Sequence, residues 1–237
     1  MEPHEALALV GGAALLWVTL YVIVAPLLPR ARPEDSKRRA WVLSFANACV
    51  SVALSLPAAG RALAGGWRGG LWPVSVFLET PPGSPWGEGS GAATAGVVLF
   101  AGFCVADIAV GLVDYRERIT FLTGWVHHLL YSSMLARILL RHECTPFSCF
   151  LLEEVPTVVL AFGGMTGSRY DLTFGLTFLA TRILYHSWGL ASAHAWRGLY
   201  TASEHIWFIW LSLVLHVFWF RGWIISYSKH LKKRKAS

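Results

Sequence analysis

The feature that most constrains this chain is a series of long apolar segments, each close to the length of a membrane-spanning helix. A helix needs about 20 mostly apolar residues to cross a hydrocarbon core roughly 30 Å thick. Residues 6–28 read ALALVGGAALLWVTLYVIVAPLL, and the segment before them contains Glu2 and Glu5 but no lysine or arginine, so we expect a spanning helix here rather than a cleaved signal peptide. Six further candidate spans lie at about residues 41–63, 92–113, 120–140, 146–163, 171–194 and 204–225.

The composition supports the same conclusion. Charged residues make up only 14% of the chain and hydrophobic residues 55%, whereas globular domains carry roughly a quarter charged residues. This deficit excludes a disordered chain, a coiled coil and a soluble nucleic-acid-binding protein. The net charge of +6 does not suggest a nucleic-acid partner, because the basic residues cluster between apolar segments. We therefore predict an all-α, multi-pass transmembrane bundle of about seven helices.

The distribution of basic residues predicts the orientation of this bundle. Cytoplasmic loops carry an excess of lysine and arginine. The first, third and fifth connections and the C-terminal segment carry Arg30, Arg32, Lys37, Arg38, Arg39, Arg116, Arg118, Arg169, Lys229, Lys232, Lys233, Arg234 and Lys235. The opposite side carries Arg61, Arg68, Arg141 and Arg197. We expect a lumenal N-terminus, a cytosolic C-terminus and a lumenal connection at about 65–91, whose tryptophans suit a membrane interface.

The C-terminal segment also predicts a location. Lys233 and Lys235, third and fifth from the end, resemble the dilysine retrieval signal of endoplasmic reticulum membrane proteins. The alternative is a basic flank that attracts anionic lipid.

The sequence offers no strong metal-binding pattern. The four cysteines, Cys49, Cys104, Cys144 and Cys149, are interpreted as small hydrophobic residues rather than as disulfide or metal ligands. His127 and His128 are neighbours on a predicted helix, so they cannot readily chelate one metal, and the several histidine boxes of membrane di-iron hydroxylases and desaturases are missing. We expect no bound metal and no bound cofactor.

Ionisable and polar groups nevertheless occur within the predicted spans, where each charge costs about 2.5–3.5 kcal/mol on insertion scales. They are Asp107, His127, His128, Tyr131, Glu153, Glu154, Arg182, Tyr185, His186 and His216. One interpretation is a set of interhelical hydrogen bonds, each worth about 1 kcal/mol. The set as a whole favours the other interpretation, a buried polar cavity.

Helical spacing assigns roles to the fourth span. Residues three or four apart share a helix face, so His127 and His128 both lie near Tyr131. A histidine there is a candidate general base, since its ordinary pKa near 6.5 is close to working pH and a carboxylate can fix its tautomer.

The sixth span places Arg182, Tyr185 and His186 on one face by the same spacing. Arg182 requires an acidic partner, and the available ones are Asp107, Glu153 and Glu154. Pro156 follows the two glutamates and is expected to kink the fifth span beside the polar cluster.

Over residues 40–227 the chain resembles the TLC-domain family, which includes ceramide synthases, the translocating-chain-associated membrane protein and small lipid-linked orphan proteins. The resemblance rests on Asp107, on the histidine pair in TGWVHHLLYSSML, on LLEEVPTVVLAFG and on FGLTFLATRILYHSWG. It divides the chain into a first helix with its basic loop (1–39), the TLC-like membrane domain (40–227) and a basic cytosolic tail (228–237). It is closest to the orphan branch.

The resemblance implies a function in membrane lipid homeostasis. In ceramide synthases the histidine pair lies in the cavity where an acyl group passes from acyl-CoA to the amine of a sphingoid base. Carried over, it implies His127 and His128 as catalytic residues oriented by Asp107 or Glu154, with acyl-CoA as co-substrate. Candidate substrate-binding residues are Tyr131, Glu153, Arg182, Tyr185 and His186.

The resemblance is incomplete after the histidines. The longer ceramide-synthase motif, with its further aspartates, is replaced by LLYSSMLARILLRHE. The alternative function is therefore a non-enzymatic lipid-binding, lipid-sensing or scaffold protein. Membrane lipid is the expected partner in both cases, and the oligomeric state stays open, a homo-oligomer included.

Overall fold

The computed structural model describes residues 1–28, 33–77, 90–197 and 203–236. Over these residues the chain is helical, with no β-strand. Seven helical segments follow one another at the positions of the seven predicted spans. The predicted all-α bundle is therefore confirmed.

The first four segments contain helices α1 to α4. Helix α1 (Pro3–Val24) is extended by a 3₁₀ turn at Ala25–Leu27, and α2 spans Pro33–Gly69. Helix α3 spans Ser90–Asp114. Helix α4 (His127–Leu140) continues directly from a π-helical turn at Phe121–Val126.

The last three segments contain helices α5 to α9. Helices α5 (Cys144–Phe150) and α6 (Val155–Thr166) are joined by a 3₁₀ turn at Leu151–Glu154. Helices α7 (Asp171–Phe178) and α8 (His186–Ala195) are joined by a π-helical segment at Leu179–Tyr185. Helix α9 spans Ser203–Ala236.

Within the described residues, five helices are long and apolar enough to cross a membrane. They are Pro3–Leu27, Asp35–Gly69, Gly91–Asp114, Cys144–Thr166 and Ile206–Lys232. The fourth and sixth predicted spans correspond to the two segments that contain π-helical turns. The orientation of the bundle and the three-part division of the chain stay predictions.

Helix α3 lies at the centre of the bundle and α1 and α9 at its periphery. In the most apolar window of each helix, 61% of α3 is buried, against 22% of α1 and 17% of α9. Leu15, Val22 and Val214 are each at least 60% exposed. Such apolar surfaces suit contact with lipid tails.

Small residues allow α1 to approach α3 closely. A Cβ atom added at Gly102 would lie 2.5 Å from the Cβ of Ala13 and 2.7 Å from the backbone nitrogen of Ala14. This contact is typical of membrane helices, which pack through small residues because lipid tails supply no hydrophobic driving force between helices.

A partly buried ion pair joins the ends of α1, α2 and α3. Arg39 donates to both carboxylate oxygens of Asp114, at 2.8 and 3.3 Å, and Tyr21 donates a hydrogen bond to the same carboxylate. Arg39 belongs to the predicted first connection, but α2 begins at Pro33, and the Arg39 side chain is 10% exposed and packs inside the bundle.

The connection predicted at 65–91 is partly structured. Helix α2 continues to Gly69, and a 3₁₀ turn follows at Val74–Val76. Trp67 is 89% exposed, as suits an interfacial residue. Trp72 is fully buried, and its ring stacks with that of Phe77 and packs at a tilt against that of Tyr185. Residues 78–89 lie outside the described residues.

The C-terminal helix extends beyond the predicted end of the last span near residue 225. The side chains of Lys233 and Lys235 lie outside the described residues, as do Arg30 and Arg32. Cys104, Cys144 and Cys149 are buried, and all four cysteines are free thiols, consistent with a role as small apolar residues.

Candidate functional site

Two adjoining cavities lie inside the bundle. The wide cavity, of about 500 Å³, contains Asp107, His127 and His128 in its lining. The narrow cavity, of about 60 Å³, has Glu153, His186 and His216 in its lining and holds at most a few water molecules. The boundary between them consists of the residues that line both: Phe100, His127, Glu154 and Arg182.

The wide cavity brings together an acid and the histidine pair. Nδ1 of His128 lies 3.7 Å from Oδ2 of Asp107, and the two side chains are 7% and 16% exposed. The other carboxylate oxygen of Asp107 accepts a hydrogen bond of 2.8 Å from the hydroxyl of Tyr115. Asp107 is therefore held from one side and faces an imidazole on the other.

His127 lies between the two cavities. Its ring centroid is 4.4 Å from that of Tyr131 and 5.9 Å from that of Trp219. In the described part of the chain, Nδ1 of His127 and Nδ1 of His128 have no hydrogen-bond partner. Neither nitrogen is therefore committed to a hydrogen bond among these residues, and both rings belong to the lining of the wide cavity.

Arg182 pairs with Glu154 rather than with the other candidate acids. Its Nη2 donates to Oε1 of Glu154 and to Oγ1 of Thr157, both at 2.9 Å, and its Nε donates to the backbone carbonyl of Glu153 at 2.8 Å. The predicted need for an acidic partner is met. The Glu154 carboxylate is engaged by this pair, so Asp107 is the acid beside the histidine pair.

A second acid and imidazole pair lies at the floor of the narrow cavity. Nδ1 of His186 lies 2.7 Å from Oε1 of Glu153, and its Nε2 donates to the backbone carbonyl of Ile209 at 2.8 Å. Because a carbonyl oxygen only accepts, Nε2 carries a hydrogen. The short contact between Nδ1 and Glu153 then requires one proton between these two atoms, carried either by the imidazole or by the carboxyl group.

Tyr185 lies away from both cavities. Its hydroxyl donates to the carbonyl of Cys149 at 3.2 Å, and its ring centroid is 4.9 Å from that of Trp72. The sequence predicts a face shared with Arg182 and His186, but residues 179–185 form a π-helical segment. A π turn contains more residues than an α turn, so successive side chains are separated by a smaller angle. Tyr185, three positions after Arg182, therefore points away from the face of Arg182, whereas His186, four positions after it, stays on that face.

Irregular helix turns precede three of the site elements. One π-helical turn ends directly before His127 and the other directly before His186. Such turns occur frequently at functional sites. The 3₁₀ turn at Leu151–Glu154 lies just before Pro156, where the sequence predicts a break, and it presents the Glu153 carbonyl to Arg182.

Basic residues line the mouth of the wide cavity. Lys37 and Arg118, from the connections predicted to be cytosolic, are exposed and contribute to its lining. Oγ of Ser36 donates to Glu117 at 2.7 Å, and this hydrogen bond lowers the pKa of the Glu117 carboxyl. The mouth therefore combines two cations with a carboxylate that is hydrogen-bonded in its charged form.

The sequence counts His216 among the polar groups within the spans but gives it no role in the site, and it does not indicate Tyr115 at all. Nδ1 of His216 lies 3.6 Å from Oε2 of Glu153, and His216 is 3% exposed. Its presence within a span was a signal, but its neighbours depend on how α9 packs against α8. Tyr115 is the central residue of an Asp-Tyr-Arg string at the end of α3, and nothing in that string indicates its bond to Asp107.

Comparison with known proteins identifies the family. The model of the TLC domain matches residues 37–224, most of the chain, and its range includes every residue of the two cavities discussed above. No curated protein and no solved structure is detectably similar to the chain. The fold of membrane helices and the family match agree with the resemblance in the sequence, and the chain belongs to the TLC-domain family.

Proposed function

We propose that this membrane protein transfers an acyl group from acyl-CoA to the amine of a membrane lipid, as ceramide synthases do. Membership of the TLC-domain family supports a function related to membrane lipid. The observation that carries the finer proposal is that His127 and His128 line one wide cavity together with Asp107. Histidines packed directly against a neighbouring helix, with no cavity beside them, would have argued against acyl transfer.

His128 is the proposed general base. The amine nitrogen attacks the thioester carbonyl carbon as His128 takes the amine proton; the carbon–nitrogen bond forms, the carbon–sulfur bond breaks, and the proton passes to the departing thiolate. Asp107, at 3.7 Å, is the positioning residue for the imidazole. That distance exceeds a hydrogen bond, as catalytic contacts often do before substrate binds.

The lining of the wide cavity suits both parts of the donor. Lys37 and Arg118 at the mouth match the phosphates of coenzyme A. Elsewhere in the lining, Leu160, Phe174 and Phe178 offer an apolar wall for an acyl chain. A donor that enters from the basic side therefore brings its thioester towards the histidine pair.

The test is an acyl-transfer assay on the purified protein in lipid nanodiscs. Acyl-CoA is offered with sphingoid-base or lysolipid acceptors, and product is measured by mass spectrometry. We expect product from the unmodified protein and its loss in His127→Ala and His128→Ala variants that still fold. Absence of product despite saturable lipid binding would overturn the proposal.

The second candidate function is lipid binding or sensing without chemistry. It is favoured by the polar network around Arg182, in which Glu154, Thr157 and the Glu153 carbonyl accept hydrogen bonds from the guanidinium within the protein itself. These hydrogen bonds are explained by a purely structural role, in which they connect the fifth and sixth segments. This function predicts saturable lipid binding that survives substitution of His128 and no product with any donor.

We place the protein in the endoplasmic reticulum membrane, on the basis of Lys233 and Lys235. Replacing both lysines by alanine in the full chain tests this. Redistribution of the variant to later secretory compartments, measured by fluorescence microscopy, is expected. An unchanged distribution would favour the alternative, a basic flank that binds anionic lipid.

A further inference from the structure

Three ligand-type side chains converge at the floor of the narrow cavity. Glu153, His186 and His216 each offer one atom, and these atoms lie within 4.8 Å of one another. The side chains are 8%, 3% and 3% exposed. They come from three elements: the 3₁₀ turn before α6, the start of α8, and α9. They are distinct from the histidine pair.

The hydrogen bonding of His186 is that of a metal ligand. Its Nε2 donates to the carbonyl of Ile209 at 2.8 Å, so in the neutral imidazole Nδ1 carries the lone pair and points at the Glu153 carboxylate. Metal-binding histidines almost always donate their second ring hydrogen to a carbonyl or carboxylate in this way. Nδ1 of His216 is buried and has no hydrogen-bond partner in the described part of the chain.

The charge balance also leaves room for a cation. The nearby guanidinium of Arg182 is neutralised by Glu154 at 2.9 Å, and its hydrogen bond to Glu153 goes to the backbone carbonyl and not to the carboxylate. Over the described residues, the partners of the Glu153 carboxylate are His186 and His216, with no lysine or arginine in salt-bridge contact. One buried carboxylate between two imidazoles is otherwise left without a permanent positive charge.

We propose that Glu153, His186 and His216 form a binding site for one divalent transition-metal ion, with zinc as its probe. Two histidines and one glutamate are a ligand set that zinc takes in sites with an open fourth position. That position faces the narrow cavity, where Tyr131 and Ser212 contribute to the lining. The sequence predicts no metal, because it gives no indication that His216 meets Glu153.

The first measurement uses the full-length protein without substitution. The protein in nanodiscs is stripped with a chelator, equilibrated with zinc and freed of excess metal, and its zinc content is measured by mass spectrometry. About one zinc per chain is expected. X-ray absorption should give two imidazole nitrogens at about 2.0–2.1 Å and a carboxylate oxygen. Less than about a tenth of a zinc per chain would overturn the proposal without any variant.

The second measurement assigns the site. Glu153→Gln preserves the size of the side chain and removes its charge, and His216→Ala removes one ligand. Both should weaken zinc binding by at least about tenfold in a competition titration with a chromophoric chelator. His194→Ala is the matched control, since His194 accepts a hydrogen bond from Trp210 and lines neither cavity. Equal binding by Glu153→Gln and the unmodified protein would refute the assignment.

The metal site goes beyond the proposed acyl transfer and does not depend on it. The proposed catalytic step uses His128 and Asp107 in the wide cavity, whereas the metal content is measured without substrate. A protein that binds zinc but yields no acylated product would retain this site and lose the proposed function. A protein that yields acylated product without binding zinc would retain the proposed function and lose this site.

Discussion

The buried pair of Arg182 and Glu154 should be one of the costliest interactions to break in this protein. The two side chains are 13% and 16% exposed, and their closest atoms are 2.9 Å apart. Glu154→Ala would leave the guanidinium with Thr157 and the Glu153 carbonyl as neutral partners. Removing one member of a buried ion pair costs about 3–5 kcal/mol, because the remaining charge stays out of water.

The chain contains a matched exposed pair. Arg169 and Asp171 lie 3.1 Å apart, but their side chains are 61% and 26% exposed. Exposed pairs contribute about 0–1 kcal/mol, so Arg169→Ala should leave the free energy of unfolding nearly unchanged. The two pairs have similar distances and differ in burial, so the comparison isolates burial as the cause.

The assay is unfolding in mixed micelles by titration with a denaturing detergent, followed by far-ultraviolet circular dichroism. Glu154→Ala should lower the free energy of unfolding by about 3–5 kcal/mol. Thr157→Val, which removes one neutral hydrogen bond, should lower it by about 0.5–1.5 kcal/mol. If Glu154→Ala and Arg169→Ala differ by less than about 0.5 kcal/mol, the argument from burial is refuted.

Two further predictions use the same titration. Gly102→Ala should destabilise the protein by about 1–3 kcal/mol, because its Cβ would lie 2.7 Å from the backbone of α1. Gly12→Ala, with nothing within 4 Å of its Cβ, should be neutral or stabilising, and equal losses would contradict the close contact. Trp72→Ala should cost about 3–5 kcal/mol, since the ring is fully buried. Trp67→Ala, at an 89% exposed site, is its control, and a similar loss there would contradict the buried packing of Trp72.

The positions of the helices were predictable because membrane spans are encoded locally. A span of about 20 apolar residues can be recognised from its own sequence, without knowledge of the helices that pack against it. The break at Pro156 was predictable for the same reason, since proline lacks a backbone donor wherever it lies in a helix. The length of α2 beyond residue 63 and that of α9 beyond residue 225 were not predictable, because polar residues can continue a helix outside the hydrocarbon core.

The interior of the site was only partly predictable. Charge alone required an acid for Arg182, but three carboxylates were available, and the choice of Glu154 depends on how the fifth and sixth segments pack. The position of Tyr185 was misjudged because helical spacing assumes α turns, whereas residues 179–185 form π turns. His216 and Glu153 are far apart in the chain, so no local sequence pattern predicts their contact.

The measurement that tests the central claim most directly is the rate of acyl transfer by His128→Ala relative to the unmodified protein. Removing a general base should lower kcat by about 10²–10⁴-fold, with folding checked by the detergent titration. His194→Ala, outside both cavities, should retain kcat within about twofold. Equal rates for His128→Ala and the unmodified protein, or no product from the unmodified protein, would contradict the account.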